Sequence, residues 1–527
     1  FCYGLLHSKG DARMLPRSEE FNFKNLFIFE MANNHQGDVE HGKRIIREMG
    51  VIAKEFGIRA AVKLQFRDLD TFIHPLHVGD KSNKHIPRFL GTRLSKEQFR
   101  ELVDEICLCE MIPLSTPFDE RSVNLIEEFN LPIIKIGSCS AQDRPLLERV
   151  SASGRPVILS TGGLTFHDID WAVNFLEKRA VHFALMHCVA EYPMSHTSAH
   201  LNQIELMCHA YRGATIGFST HESPSETGLI GLAYTKGARI FEKHVGVESD
   251  THKLNAYSAN PEQVRSWVQA WKFAVEACGS WGERAISEKE QADLQSLKRG
   301  VYITREVKKG LVIDEKDVFF AIPIQKDQLS SDRWLSGLTA DRDYHDGDAL
   351  CASVRSQEPT EREMIFAFTR KVRRLLNEAK LFVGHDIKVE LSAHYGIKNF
   401  HKYGCVLVEC VMGEEYAKKI IVQIEGQWNP SHYHKKKLET FHVLHGELTV
   451  EVEGRLYRGL PAGAKLSIPR GVVHAFGTDT GVIFEEISTA EVPGDSFYHD
   501  PKIAGMPRQE RKVVLQNWGK YQFEELK

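Results

Sequence analysis

Residues 132–161 read PIIKIGSCSAQDRPLLERVSASGRPVILST. Two short apolar runs, Pro132–Gly137 and Pro156–Thr161, flank an amphipathic segment, Pro145–Ser153. A near-continuous apolar run suits a strand covered on both faces, and two such strands joined by a helical crossover form a parallel unit. The unit recurs in both directions along the chain. The runs are Leu26–Ala32, Ala60–Phe66, Met111–Thr116, Pro132–Gly137, Pro156–Thr161, His182–Cys188, Ala214–Ser219 and Ala238–His244. Helix-like segments separate them: Val39–Phe56, Lys96–Glu110, Glu120–Phe129, Pro145–Ser153, His167–Arg179, Leu201–Tyr211 and Glu222–Gly237. Eight such units predict an α/β chain whose residues 21–290 close into a (β/α)8 TIM barrel. A doubly wound open sheet is the alternative, and it usually needs fewer units. No GxGxxG or GxxxxGK[ST] follows any run, which disfavours a dinucleotide or P-loop site.

The chain has 527 residues, enough for roughly three and a half domains. Its net charge of −4, with 42% hydrophobic and 26% charged residues, is that of an ordinary globular protein. That balance excludes a disordered chain and a global basic field for nucleic acid. No apolar run approaches bilayer length, so no membrane span is expected. Ten cysteines are scattered, with only Cys107-x-Cys109 closely spaced, so neither a disulfide scaffold nor a zinc ribbon is expected. A reducing, cytoplasmic location follows as the expectation. Residues 1–20 read as a tail or tag, with Met14 a candidate native start; their apolar patch is too short for a signal-peptide core.

Polar residues gather where the apolar runs end, and barrel active sites lie at that face. The ends carry Glu30, Asn33, Asn34 and His35; Lys63 and Gln65; Ser115 and Thr116; Lys135 and Ser138; Ser160 and Thr161; His187, Cys188 and Tyr192; Ser219, Thr220 and His221; and Glu242, Lys243 and His244. A lone strand-end serine or histidine is usually structural, but eight polar ends together exceed decoration. Lys63, Lys135, Ser138 and Ser160 suit a phosphate and a carboxylate. His221 and His244, on adjacent strands, suit one shared divalent ion, Mn2+, Zn2+ or Fe2+. The plainer alternative makes one of them a hydrogen-bonded barrel histidine.

Several stretches resemble the sialic acid synthase family, the phosphoenolpyruvate-dependent nonulosonate synthases. They are FEMANNHQGD (29–38), VKLQF (62–66), STPFDERSV (115–123), IKIGSCS (134–140), PVILSTGG (156–163), MHCVAEYP (186–193), IGFSTHES (216–223) and IFEKHVG (240–246). The resemblance implies a polysaccharide-pathway transferase that condenses phosphoenolpyruvate with the aldehyde of an open-chain N-acylhexosamine. It implies that Lys63, Thr116, Lys135, Ser138, Ser160 and Ser219 hold phosphoenolpyruvate. His221 and His244 would bind the metal, usually Mn2+. Glu30, Gln65, Tyr192 and His252 would contact the sugar, with Glu30 moving a proton; Glu30, His221 and His244 form the implied catalytic set.

Residues 298–356, with KRGVYITREVKKGLVIDEKDVFFAIP (298–323) and DYHDGDAL (343–350), resemble the small antifreeze-like (SAF) domain of that family. There the domain packs on the barrel of a partner subunit in a homodimer and delivers an arginine. Here the corresponding position is Ile322, with Lys326 and Arg333 as nearby cations. Thr251 and Ala190 are further departures; the family usually has Asp at the first and Asn or Ser at the second. All three fall on the sugar side, so N-acetylmannosamine, its 6-phosphate and a 2,4-diamino relative remain open as acceptors.

Residues 360–527 read as a helix followed by an all-β domain. In TEREMIFAFTRKVRRLLNEAK (360–380), Met364, Ile365, Phe368, Val372, Leu375 and Leu376 make a helical apolar stripe, expected to pack on its own domain. Short strands follow, carrying Gly426-x5-His432-x-His434-x4-Glu439-x6-Gly446 and Gly463-x5-Pro469-x-Gly471-x2-His474, with Thr478 beyond. His432 and His434 share one strand face, and with Glu439 and His474 they make a set for Zn2+, Mn2+ or Fe2+. The pattern resembles the cupin family, and Lys435, Lys436 and Lys437 resemble those of sugar-isomerising cupins such as lyxose isomerase. The expectation is a synthase with a fused cupin that isomerises, epimerises or senses a sugar, or serves only for sugar binding or dimerisation. The competing reading is a decayed barrel acting as scaffold or sugar sensor for the cupin.

Overall fold

The computed structural model describes residues 21–280, 284–355, 359–384, 387–492, 494–507, 510–516 and 518. The expected tail, residues 1–20, lies outside them. The chain divides into two units that meet between Ala285 and Ile286.

Eight parallel strands close the first unit into a barrel in sequential order: β1 (Leu26–Glu30), β2 (Arg59–Phe66), β3 (Ile112–Pro117), β4 (Ile133–Ile136), β5 (Val157–Ser160), β6 (Phe183–Cys188), β7 (Thr215–Thr220) and β8 (Ile240–His244). Each of the eight apolar runs is a strand to within two residues at either end. The two-residue period of a strand sorts the side chains into layers. Leu26, Ile28, Ala61, Leu114, Ile133, Ile158, Ala184, Met186 and Ile240 fill the barrel interior. Alternating neighbours such as Phe27, Phe29, Val62, Ile134, Leu159, Leu185 and Phe241 pack outward under the helices. At Gly217 on β7 a Cβ would fall 2.7 Å from Ile240 Cβ, so the neighbouring strand admits no larger residue.

The helix Val39–Phe56 spans its expected range. Asp38 caps it by accepting from the Glu40 and His41 amides, and Gly57 at φ 62° ends it. Two features differ from expectation. The helix expected over Glu222–Gly237 covers only Gly228–Thr235. Glu222 is drawn instead into a buried ion pair with Lys243 at 2.9 Å, which holds the preceding segment out of the helix. Between β2 and the helix Lys96–Leu108 lie two short helices, Leu69–Phe72 and His85–Gly91, in a stretch without sustained periodicity.

The second unit begins with the helix Glu288–Ser296, followed by small sheets. β9 (Gly300–Ile303) pairs antiparallel with β11 (Val318–Ala321), and β10 (Val312–Ile313) with β12 (Leu338–Thr339). Val301, Ile303, Val307, Leu329, Tyr344 and Leu350 form their core. The helix Glu361–Glu378 follows, capped reciprocally by Thr360 and Glu363. Its whole expected stripe packs against the next sheet.

The remaining strands are antiparallel: β13 (Val389–Ser392), β14 (Cys405–Met412), β15 (Tyr416–Gln423), β16 (Trp428–Tyr433), β17 (Glu439–Gly446), β18 (Leu448–Val452), β19 (Arg455–Leu460), β20 (Lys465–Ile468), β21 (His474–Gly477), β22 (Val482–Thr489), β23 (Phe497–Tyr498) and β24 (Lys512–Leu515). One sheet runs β20-β17-β22-β15-β14-β13-β24 and the other β19-β18-β21-β16-β23. Phe441, Phe476, Phe484, Leu448 and Val482 pack in the core of this all-β domain.

Candidate active site and metal centre

Above the apolar interior layer, the same strand period turns a polar layer inward. Lys63 Nζ contacts Glu30 Oε2 and lies 2.9 Å from Glu242 Oε1. Lys135 Nζ lies 2.9 Å from Glu242 Oε2, and Ser219 Oγ donates to Glu242 Oε1 at 3.1 Å. Glu30 Oε1 accepts the Ala32 amide at 2.7 Å. All five side chains are buried. Burial opposes ionisation of Glu242, but the Lys135 and Lys63 ammoniums outweigh it and hold this carboxyl well below its usual range. Glu30 goes the other way: burial raises it, and Lys63 offsets only part of that. Two carboxyls in one cluster are thus pushed apart, the pattern that separates a fixed anion from a proton donor.

Hydroxyls complete the layer. Thr116 Oγ1 is buried without a hydrogen-bond partner. Ser160 is buried, and Ser138 Oγ accepts the Gly162 amide at 2.8 Å.

His221 and His244 come together, their ring centroids 5.3 Å apart. His221 Nδ1 bonds the Val189 carbonyl at 2.9 Å, which leaves Nε2 as a lone-pair donor. His244 Nδ1 is buried with no partner. Burial lowers His221 to about 4 and His244 well below its ordinary value, so both are neutral and fit to ligate at neutral pH. An orphaned imidazole nitrogen beside a second oriented imidazole fits a divalent ion. Tyr192 lies over His221 at 4.2 Å, and Tyr257 lies 5.0 Å from His244.

The remaining residues expected to contact the sugar are more dispersed. Gln65 Oε1 accepts from Arg67 Nη2 at 2.9 Å. His252 stacks on His41 at 3.9 Å, with Nε2 3.7 Å from Asp38 Oδ2. The sequence reading did not assign roles to Glu242, Tyr257 or Arg67. Glu242 had a signal: it stands two residues before His244, on the same inward face.

In the all-β domain, His432, His434 and His474 place ligand atoms within 4.8 Å of one another. Each Nδ1 is tied to a backbone carbonyl: His432 to Pro430 at 2.9 Å, His434 to Asp495 at 2.6 Å and His474 to Val472 at 3.1 Å. That outer layer fixes the tautomers and leaves three Nε2 atoms free to ligate. Glu439 reaches two of the three, with Oε1 3.3 Å from His434 Nε2 and Oε2 3.2 Å from His474 Nε2. Glu439 Oε2 and His474 Nε2 are buried and make no hydrogen bond. Two facing orphan donors fit a metal. Lys437 Nζ holds Glu439 Oε1 at 2.5 Å and Glu486 Oε1 at 2.9 Å, so Oε2 is the oxygen left for the ion.

The fold and its polar layer define a (β/α)8 barrel with buried lysines and carboxylates inside its ring, followed by an all-β domain whose histidine cluster fits a metal. The NeuB family profile matches residues 51–283, and the cupin domain profile matches residues 420–485. An uncharacterized protein of Methanocaldococcus jannaschii is 30% identical over 298 residues, 56% of this chain and 84% of that protein. The N,N'-diacetyllegionaminic acid synthase of Campylobacter jejuni is 26% identical over 313 residues, 55% of this chain and 88% of that enzyme. A solved Chromobacterium violaceum structure, assigned to spore coat polysaccharide biosynthesis protein E, is 44% identical with a TM-score of 0.59. The match covers 63% of this chain and 99% of that one. The chain belongs to the NeuB family and carries a C-terminal cupin domain. It is an enzyme of that family's class, the phosphoenolpyruvate-dependent transferases that form a carbon–carbon bond.

Proposed function

We propose that the barrel condenses phosphoenolpyruvate with the aldehyde of an open-chain N-acylhexosamine, giving a sialic-acid-type 2-keto-3-deoxy nonulosonate and phosphate. The observation that carries this reading is the clamp of Lys63 and Lys135 on Glu242, with the partnerless Thr116 hydroxyl in the same layer. Two buried ammoniums and a ring of hydroxyls suit a ligand bearing both phosphate and carboxylate. In this reading Lys63, Thr116, Lys135, Ser138, Ser160 and Ser219 hold phosphoenolpyruvate. Gln65, Tyr192, His252 and Glu30 face the sugar.

His221 and His244 hold a divalent ion, Mn2+ by preference, which when bound supplies Lewis-acid polarisation of the acceptor carbonyl. The chain's own groups do the rest. Lys63 and Lys135 hold the enol in place while its C3 bonds to the aldehyde carbon. Glu30, whose carboxyl is pushed above its usual range by burial, is the group placed to give a proton to the aldehyde oxygen. Water adds at C2 and returns a proton to the Glu30 carboxylate. The C2–O bond to phosphate then breaks with its electron pair leaving on phosphate, which takes the C2 hydroxyl proton as C2 becomes the ketone.

For the second unit, residues 298–356 are the SAF-type domain and residues 360–527 the helix and cupin in this reading. A homodimer is part of the same proposal. His432, His434, Glu439 and His474 hold Zn2+, Mn2+ or Fe2+, and the cupin isomerises, epimerises or senses a sugar.

The test is phosphate release from phosphoenolpyruvate with Mn2+, across N-acylhexosamines and plain hexoses with and without a 6-phosphate. Release with an N-acylhexosamine, with a matching 2-keto acid, is expected. His221→Ala should abolish release and leave cupin-bound metal in place. Absence of release from metal-loaded wild-type protein with every sugar would overturn the reading.

A further inference from the structure

A cavity of about 710 Å3 opens in the barrel unit beside Gln65, bounded by Arg67, Phe89, Arg93, Lys96, Phe99 and Arg121. That volume is within the range of complete small-molecule sites. Four cations line it, and three have carboxylates at hand. Arg93 makes a two-point pair with Asp70 at 2.9 and 2.7 Å. Arg121 pairs with Asp68 at 2.8 Å and Lys96 with Glu128 at 2.6 Å.

Arg67 is different. Its guanidinium carbon lies 3.6 Å from the Phe118 ring centre and 4.1 Å from that of Phe89. Its Nη2 is spent on the neutral amide of Gln65. Its Nε is buried with no hydrogen-bond partner. Among the described residues no carboxylate lies within ion-pair distance of it; Glu30 and Asp119 act only from farther away. A largely buried guanidinium stays charged at neutral pH, and leaving one without a counter-ion is costly. The two flanking rings fix its position, and Nη1, which neither Gln65 nor burial takes up, suits it to capture of an anion.

We propose that Arg67 reads an anionic substituent, a phosphate or a carboxylate, carried by the acceptor sugar away from its aldehyde. The inference rests on the condensation reading for the identity of the acceptor, and on the cavity alone for the anion. A neutral hydroxyl or acyl group would leave the Arg67 charge unmatched, which is why an anion is favoured.

The test is calorimetric titration of wild-type protein, Arg67→Met and Arg67→Lys with N-acetylmannosamine, its 6-phosphate and its C6 uronic acid. Wild type should bind one of the two anionic sugars about 10–100-fold more tightly than the neutral one. Which of the two it is separates phosphate from carboxylate. Arg67→Met keeps the stem between the two rings and should erase the preference; Arg67→Lys should retain part of it. Phosphoenolpyruvate affinity, measured on the same proteins, should stay within about two-fold, which also reports that each variant is folded. Equal binding of neutral and anionic sugars by wild type, or a preference that survives in Arg67→Met, overturns the proposal. Should Arg67→Met fail to fold, the wild-type preference and its reduction in Arg67→Lys decide. Turnover with no anionic preference would fail Arg67 alone. An anionic preference without turnover on any sugar would fail the condensation reading alone.

Discussion

Lys135 on β4 and Glu242 on β8 meet at 2.9 Å across the barrel axis, four strands apart in a ring of eight. Lys63, from β2, reaches the same carboxylate at 2.9 Å. One carboxylate thus bridges two buried ammoniums and ties distant strands inside the barrel. Glu242→Ala leaves Lys135 with no carboxylate in contact. Removing one partner of a buried pair costs about 3–5 kcal/mol. Denaturant unfolding should show a loss of that order for the barrel unit.

Glu222 and Lys243 form a second buried pair, at 2.9 Å with both side chains 0% exposed. It lies outside the inward polar layer, with Lys243 about 6.0 Å from the Trp267 ring. Glu222→Gln should destabilise by about 3–5 kcal/mol, because it strands the ammonium. The double variant Glu222→Leu/Lys243→Met should recover most of that loss. A double-mutant cycle by urea unfolding reads both numbers.

Much of the site could be read from the sequence because strand periodicity is local. Apolar runs gave the strands, and Lys63, Lys135, Ser160, Ser219, His221 and His244 followed as the polar residues at their ends. What no local pattern encodes is reach across the barrel: the Lys135–Glu242 contact depends on closure of the whole ring. The segment over residues 69–91 lacks a sustained period, and it supplies Phe89, one wall of the Arg67 site. The shortened helix at Gly228 has the same origin. Glu222 looks like a helix-starting acid by sequence, and only the fold reveals its partner Lys243 from the next strand.

His35 is a buried neutral histidine, lowered to about 4 by burial, with a smaller contribution from His41. Unfolded, it titrates near 6.5. Between those values the unfolded chain binds a proton that the folded chain does not, so stability falls as pH drops from 6.5 towards 4. The full effect is roughly 3 kcal/mol. The stability difference between wild type and His35→Asn should be largest above pH 6.5 and shrink progressively to pH 4, as measured by unfolding at a series of pH values.

The cupin centre makes its own prediction. His432→Ala and His474→Ala should each lose one metal equivalent per chain by atomic spectrometry, while the barrel's metal remains. Chelation should lower the melting temperature of the second unit, because an ion that binds only the folded state stabilises it by mass action.

The central claim is carbon–carbon bond formation with loss of phosphate by cleavage on the carbon side. Phosphoenolpyruvate labelled with 18O at the oxygen bridging C2 and phosphorus tests it most directly, in a complete reaction with the acceptor that supports turnover. Mass spectrometry should find the label in the released phosphate, and a solvent oxygen at C2 of the new keto acid. Label retained on the organic product would mean cleavage at phosphorus, and would contradict the assignment.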